Sequence, residues 1–213
     1  MGRHRIGIII PAYNEENTIC KIIENAKDYG EIILVNDASD DNTLELVREH
    51  KIYIINNEKN LGYEESLSKG FEFASKNKFD FVITFDADGQ HQSKYLKIII
   101  SHFYNGYDLV IGKRNEKNRI AEKIFSLFGK LFYNISDPCC GLKGYSIKIY
   151  NRQGFFSNFN SIGTQLSFFA KKNNFNIKEI NITVKKREDV SRFGNIIKSN
   201  LIILYAVLQS FFR

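Results

Sequence analysis

The chain has 213 residues, 43% hydrophobic and 25% charged, enough apolar material for one packed core and a composition that excludes a disordered or fibrous polypeptide. Its formal charge of +6 is unevenly placed: residues 1–166 carry 21 Lys/Arg against 21 Asp/Glu, and residues 167–213 carry 9 against 3. The whole excess sits in the last quarter, which points to an anionic partner there, a phosphate group or a membrane surface.

Cys20, Cys139 and Cys140 fit neither a disulfide framework nor the spacing of a zinc site, and they imply a reducing compartment. The segment IGIIIPA is too short for the core of a signal peptide. The run LIILYAVLQSFF (201–212) has about half the length a membrane-spanning helix needs, though it suffices to lie on a membrane.

Along the chain, short apolar β-branched runs are expected as strands at 6–10 (IGIII), 31–35 (EIILV), 52–56 (IYIIN), 80–85 (DFVITF) and 108–112 (DLVIG). Between them lie amphipathic stretches with helical spacing: ENTICKIIENAKDY, DNTLELVREH, YEESLSKGFEFASKN and SKYLKIIISHFYNG. Strands apolar on both faces and separated by helices predict a mostly parallel sheet covered on two sides. Farther on, a helix with a wide apolar face is expected at 119–134, a turn at SDPCCG, a short extended piece at GLKGYS and a helix near 163–174. The alternating IKEINITVKK (177–186) reads as an antiparallel strand with one solvated face. A basic loop, KKREDVSRFG, precedes a closing amphipathic helix over 196–213. The expectation is one domain over 1–195 with that helix appended.

Parallel sheets bind ligands at the carboxyl ends of their strands. Those ends read PAYNEE (11–16), NDASDDNT (36–43), NNEKNLGYEE (56–65), DADGQH (86–91) and KRNEKNR (113–119). Asp86, Asp88 and Gln90 stand two residues apart, which places two carboxylates and an amide oxygen on one side and makes a half-shell of hard oxygens for Mg²⁺ or Mn²⁺. Ser39, Asp41, Thr43 and Asn14 have a simpler reading as helix caps, and Asp86–Gln90 have one as a capping turn. Asp37, at the tip of its strand, is not explained that way. A DxD also opens phosphatases that use its first Asp as nucleophile, but those want Thr or Val where Gln90 stands and leave PAYNEE unexplained. A non-catalytic nucleotide-sugar or lipid-binding module is the remaining reading.

In order, IPAYNEE, ILVNDASDDNT, NLGYEESLSKG, FDADGQH, GKR and SDPCCGLKGYS resemble the motifs of family 2 inverting glycosyltransferases with the GT-A fold, a Rossmann-like α/β architecture. The likeness runs from residue 6 to about residue 195. Within that family the chain is most similar to the dolichol-phosphate mannose synthase group and its bacterial polyprenyl-phosphate relatives. The resemblance implies a metal-dependent hexosyltransferase that moves mannose or glucose from a GDP- or UDP-sugar to a polyprenyl phosphate with inversion. It implies no nucleic-acid partner, a place on the cytoplasmic face of the membrane and room for a small membrane-protein partner. A hydroxyl acceptor on a glycan or glycolipid is the alternative.

By the same resemblance, Pro11, Tyr13 and Glu15 meet base and ribose, Val35 and Asp37 edge the nucleobase, and Asp86, Ala87, Asp88 and Gln90 hold the metal and diphosphate. Arg114 meets phosphate at the reaction centre, with Asp88 as its catalytic partner, and Arg119 opens a helix where an anion is favoured. Arg187 and Arg192, with Lys186 as a competitor for the first role, belong to a loop that closes over donor and acceptor phosphates. After Asp137 the chain offers only Glu179, Glu188 and Asp189 as acids. Where hydroxyl-using relatives carry an acid it reads Gly163, Thr164, Gln165. A phosphate monoester, largely ionised at neutral pH with a second pKa of about 6, needs no base. Many lipid-phosphate relatives do carry Glu where Gln165 stands, and there this chain departs from their pattern.

Overall fold

The computed structural model describes residues 4–115, 120–156 and 163–185. Four parallel strands open the sheet: β1 (Ile6–Ala12), β2 (Glu31–Asn36), β3 (Tyr53–Asn56) and β4 (Phe81–Thr84). They are joined by helices α1 (Ile19–Ala26), α2 (Thr43–Val47) and α3 (Tyr63–Lys76). Helix α4 (Lys94–Tyr104) leads to β5 (Leu109–Arg114), and α5 (Ile120–Tyr133) to β6 (Lys143–Ser146). Then α6 (Ile147–Gln153), α7 (Thr164–Lys172) and β7 (Ile177–Ile182) follow. The seven strands lie in the order β3-β2-β1-β4-β6-β5-β7, the expected α/β sheet, parallel except where β6 runs between β4 and β5.

Alternation along the strands builds two cores. Ile9, Ile33, Val35 and Val82 face α3, α5, α6 and α7, while Ile8, Ile10, Ile32 and Leu34 face α1, α2 and α4. Period-2 geometry sends successive side chains to opposite faces, so strands with no polar face must be covered twice. Helix α1 meets the second core through Ile19, Ile22, Ile23 and Ala26, the spacing of one helical face.

The antiparallel portion is not where the alternation of IKEINITVKK placed it. β7 pairs parallel with β5, and the antiparallel strand is β6, within the piece GLKGYS. The half-buried pattern of β7 comes from its position at the sheet edge, where one face is covered, and says nothing about direction. β6 runs backwards because the chain after α5 returns to the edge at which β5 ends: Asp137 accepts from the Arg114 backbone N–H at 3.0 Å. From there the only way into the sheet is down it. Helix α6 was not expected, and the closing helix lies outside the described residues.

Gly144 in the middle of β6 lets Ile99 and Phe103 of α4 rest directly on the strand; a Cβ there would overlap both side chains. Gly144→Ala is expected to lower stability by about 1–3 kcal/mol, read from the denaturant midpoint with the m-value unchanged.

Candidate active site

The carboxyl ends of β1 to β5 reach one edge of the sheet, and the loops that leave them are bound to one another. Residues 13–18 and 36–43 interlock: Asn14 N–H donates to Ser39 Oγ at 3.0 Å, Glu15 N–H to Thr43 Oγ1 at 2.7 Å and Glu16 N–H to Asp41 Oδ2 at 3.1 Å. In return Asp40 N–H donates to Asn14 Oδ1 at 2.8 Å and Asn42 N–H to Glu16 Oε2 at 3.1 Å. Asp41 also takes the Thr43 N–H at 2.9 Å, but the cap position of α2 is Asn42, and Ser39 Oγ donates to Asn36 Oδ1 at 2.6 Å. Asn14 and Ala38 hold positive φ, 55° and 58°, a conformation that non-glycine residues keep only where surrounding bonds determine it.

Asp37, 4% exposed, organises the loop after β3. Its Oδ1 accepts from Asn57 Nδ2 at 2.7 Å and Leu61 N–H at 2.8 Å, and its Oδ2 from Gly62 N–H at 2.8 Å. Lys69 Nζ holds the far side of Asn57 at 2.7 Å. Gly62, at φ 92°, then starts α3 and delivers Tyr63.

Tyr63 reaches across to the end of β4, where its hydroxyl donates to Asp86 Oδ1 at 2.6 Å. His91 Nε2 lies 3.3 Å from Asp86 Oδ2, and Gly141 backs the same carboxylate so closely that a Cβ there would collide with it. Burial first, then the Asp86 charge, holds the Tyr63 phenol well above its ordinary range, so it remains a donor. Ala87 is buried between the half-exposed Asp86 and Asp88, which puts the two acids on the open side. Asp88 Oδ1 accepts the Gln90 N–H at 3.0 Å. The donor set suits a hard divalent cation held by carboxylates with substrate phosphates and water completing the shell. Among the described residues no group of three or more His, Cys, Asp or Glu would enclose a metal alone.

Gln90 faces away from that half-shell in part. Its Nε2 donates to Lys185 O at 3.3 Å, and its own carbonyl accepts the Lys185 N–H at 3.0 Å. Gln92 Nε2 donates to Thr183 O at 3.3 Å, and Thr183 N–H to Tyr95 Oη at 2.8 Å. The acidic loop is thereby fastened to the chain leaving β7.

On the other side of Gly141 stands a buried ion pair. Arg114 Nε and Nη2 donate to the two oxygens of Asp137 at 2.9 and 3.0 Å, and Nη2 lies 3.6 Å from Glu122 Oε2. Burial opposes the Arg114 charge, but the hydrogen bonds and charge of Asp137, with Glu122, more than offset this and keep it above its ordinary range. Glu179 accepts from Ser136 N–H at 2.6 Å and Ser136 Oγ at 2.8 Å. Lys143 Nζ and Thr164 Oγ1 both donate to Pro138 O at 2.8 Å. Burial lowers Lys143 to about 8 and pushes the thiols of Cys139 and Cys140 up to about 12. All three cysteines are free, and the buried pair is packing, not nucleophile.

The profile of the glycosyl transferase family 2 matches residues 7–182. The chain belongs to that family. As a family 2 glycosyltransferase it is similar to the UDP-N-acetylglucosamine–dolichyl-phosphate N-acetylglucosaminyltransferase of Methanococcus voltae, 29% identical over 92% of the chain and 92% of the relative. An uncharacterised protein of Methanocaldococcus jannaschii is 30% identical over 100% of the chain and 95% of its own length. The undecaprenyl-phosphate 4-deoxy-4-formamido-L-arabinose transferase of Proteus mirabilis is 31% identical over 70% of the chain, but only 49% of that protein is matched. In fold it is similar to glucosyl-3-phosphoglycerate synthase from Mycobacterium tuberculosis, solved with Mn²⁺, UDP and phosphoglyceric acid, at a TM-score of 0.73 and 16% identity over 96% of the chain and 78% of that structure.

In this glycosyltransferase the residues expected at the site divide into four groups. Tyr13, Glu15, Asp37, Asp86, Asp88 and Gln90 come together at the edge. Pro11, Val35 and Ala87 have buried side chains; that of Val35, at 0% exposure, packs in the core. Arg114 is at the edge, with Nε and Nη2 bound to Asp137 and Nη2 near Glu122. Arg119, Lys186, Arg187 and Arg192 lie outside the described residues. Sequence reasoning missed Tyr63, Asp137 and Lys143 as organisers; the Gly-Tyr pair at a helix start after a strand was the available signal for the first.

Two outcomes are expected. Tyr63→Phe removes the donor that orients Asp86 and should weaken divalent-ion affinity roughly tenfold, measured by metal titration of nucleotide binding. For Lys143, whose folded pKa is below that of the unfolded chain, the unfolded state binds the extra proton, so stability rises with pH from about 8. The thiols act oppositely above pH 9, where they ionise only when unfolded. Lys143→Met should therefore flatten the rise between about pH 8 and 9 in denaturation midpoints.

Proposed function

We propose that the protein moves a hexose-class sugar from a nucleotide-diphosphate donor to a polyprenyl phosphate, with inversion, at the edge lined by Asp86 and Asp88. The observation that carries the acceptor assignment concerns the carboxylates beyond β5. Among the described residues there are three, Glu122, Asp137 and Glu179. Asp137 is bound by Arg114, Glu122 lies beside the same guanidinium, and Glu179 is held by Ser136. A hydroxyl acceptor requires a base near it; an ionised phosphate monoester does not. The named relatives act on dolichyl and undecaprenyl phosphates, which supports the same reading.

In this reading the acceptor phosphate oxygen attacks the anomeric carbon opposite the departing diphosphate, forming one C–O bond as the other breaks. Asp86 and Asp88, with Gln90 beside them, would hold Mg²⁺ or Mn²⁺, whose chemistry is to neutralise charge on the leaving diphosphate. Asp37 shapes the nucleotide side by fixing the 57–62 loop, and Tyr13 and Glu15 flank it. Arg114 acts on the acceptor side through the Asp137 turn, and Arg119, Arg187 and Arg192 are assigned the acceptor and donor phosphates. Among the described residues no helix is long and apolar enough to cross a membrane, and we assign the enzyme a peripheral place on the cytoplasmic face.

The test incubates the protein with labelled GDP-mannose, UDP-glucose and UDP-N-acetylglucosamine, a polyprenyl phosphate and Mn²⁺ or Mg²⁺, followed by lipid extraction. Label is expected in the lipid phase with one donor, abolished by chelator and lowered about 10²-fold or more in Asp88→Ala. Label transferred only to a free glycan or polyprenol hydroxyl would overturn the acceptor assignment.

A further inference from the structure

We infer that Lys113 is the cation that receives the acceptor's phosphate. β5 ends in two basic residues, and period-2 geometry sends them to opposite faces of the sheet. Arg114 is bound to Asp137 and lies near Glu122. Lys113 is half-buried, and among the described residues no hydrogen bond or ion pair engages its ammonium.

The strand register sets Lys113 across from the acidic pair. Gly112 N–H donates to Leu142 O at 3.0 Å, which carries the antiparallel β5–β6 ladder one step past the Ile111–Lys143 pair and brings Lys113 opposite Gly141. On the other side of β6, Thr84 pairs with Lys143, so Asp86, two residues on, also stands beside Gly141, where a Cβ would collide with its carboxylate. Lys113 and Asp86 therefore flank one bare glycine. They also share a face. A Cβ on Gly112 would meet Cys140 and Ile182, both in the core under α1, α2 and α4, so Lys113 lies on the opposite face with Ile111, the face from which Tyr63 of α3 reaches Asp86. With β6 alone between β4 and β5, the two backbones are about 10 Å apart at the usual strand spacing, and Gly141 leaves the interval without a side chain.

Strand order decides which phosphate is met. Along the edge, the loops after β1 and β2 carry Tyr13, Glu15 and Asp37, β4 carries Asp86 and Asp88, and β5 follows beyond β6. Inversion places the attacking oxygen on the far side of the anomeric carbon from the departing diphosphate, and Lys113 stands on that side of the acidic pair. A lysine ammonium, with three donors and no acceptor, suits a compact dianion such as a phosphate monoester. It stays protonated throughout and moves no proton. The acid on the same face of β7, Glu179, pairs in register with Ile111, two residues from Lys113, and its oxygens accept from Ser136. The inference rests on the phosphate-acceptor reading and names the residue that meets that phosphate. Lipid phosphates and soluble phosphate monoesters share this chemistry, and the arms of the experiment separate them.

Full-length protein loaded with Mn²⁺ and the tighter-binding of UDP and GDP is titrated by calorimetry with farnesyl phosphate, farnesol and glycerol 3-phosphate. Transfer to detergent-dispersed polyprenyl phosphate is measured in parallel. Wild type is expected to prefer farnesyl phosphate to farnesol by about tenfold or more, the range of a hydrogen bond between charged groups. Lys113→Met should lose that preference and raise the KM for polyprenyl phosphate, and Lys113→Arg should keep most of both. Nucleotide affinity and thermal stability should stay as in wild type. Farnesyl phosphate bound by Lys113→Met as tightly as by wild type overturns the inference. So does a loss of nucleotide affinity in that variant, which assigns the ammonium to the donor diphosphate, or a loss of thermal stability with every ligand weakened alike, which makes the residue structural. Glycerol 3-phosphate bound as tightly as farnesyl phosphate, through Lys113 and with no transfer to lipid, would leave this inference standing and overturn the lipid acceptor instead.

Discussion

The hydrogen bond from Tyr63 to Asp86 holds the rest of the site in place. A carboxylate at the end of a strand has free rotamers, and one that is to meet a ligand in a fixed geometry must lose them beforehand. Here the loss is arranged by three unrelated segments: the first turn of α3 supplies the phenol, the loop after β4 supplies His91, and the turn before β6 supplies the bare backbone of Gly141. Each is positioned by a further constraint. Asp37 pulls the 57–62 loop so that α3 begins where Tyr63 can reach, and the Arg114–Asp137 pair sets the turn that carries Gly141.

Acidic residues at this edge therefore do two different jobs. Asp37 and Asp137, which are buried, and the half-buried Glu179 serve as multivalent acceptors for backbone and side-chain donors, whose charge-assisted hydrogen bonds offset desolvation. Asp86 and Asp88 are half-buried, with Ala87 buried between them. A count of acids at strand ends does not distinguish the two uses. What sets Asp37 and Asp137 apart is near-complete burial beneath donors from loops distant in sequence, Leu61 for Asp37 and Arg114 for Asp137.

Helix α5 and the candidate site share one ion-pair cluster. Glu122 on α5 and Asp137 beyond it both face Arg114, so the helix and the turn before β6 are fixed in the same frame. The chain leaving β7 is tied to the acidic loop through Gln90 and Gln92, which sets the root of the basic segment beside the proposed metal pair.

The sequence by itself determined the α/β class, the five parallel strands within a residue or two, and the edge at which their carboxyl ends meet. These follow from local periodicity and from chain direction, which are written in consecutive residues. It also placed α5 and α7 within a few residues. Only the tertiary structure decided the direction of β6 and β7, because an alternating pattern reports one covered face and not the neighbour's polarity. Only it showed that Arg114 is turned onto Asp137 and that Val35 lies wholly in the core. Partner choice among charged groups is a contact between segments up to tens of residues apart, and no local pattern encodes it.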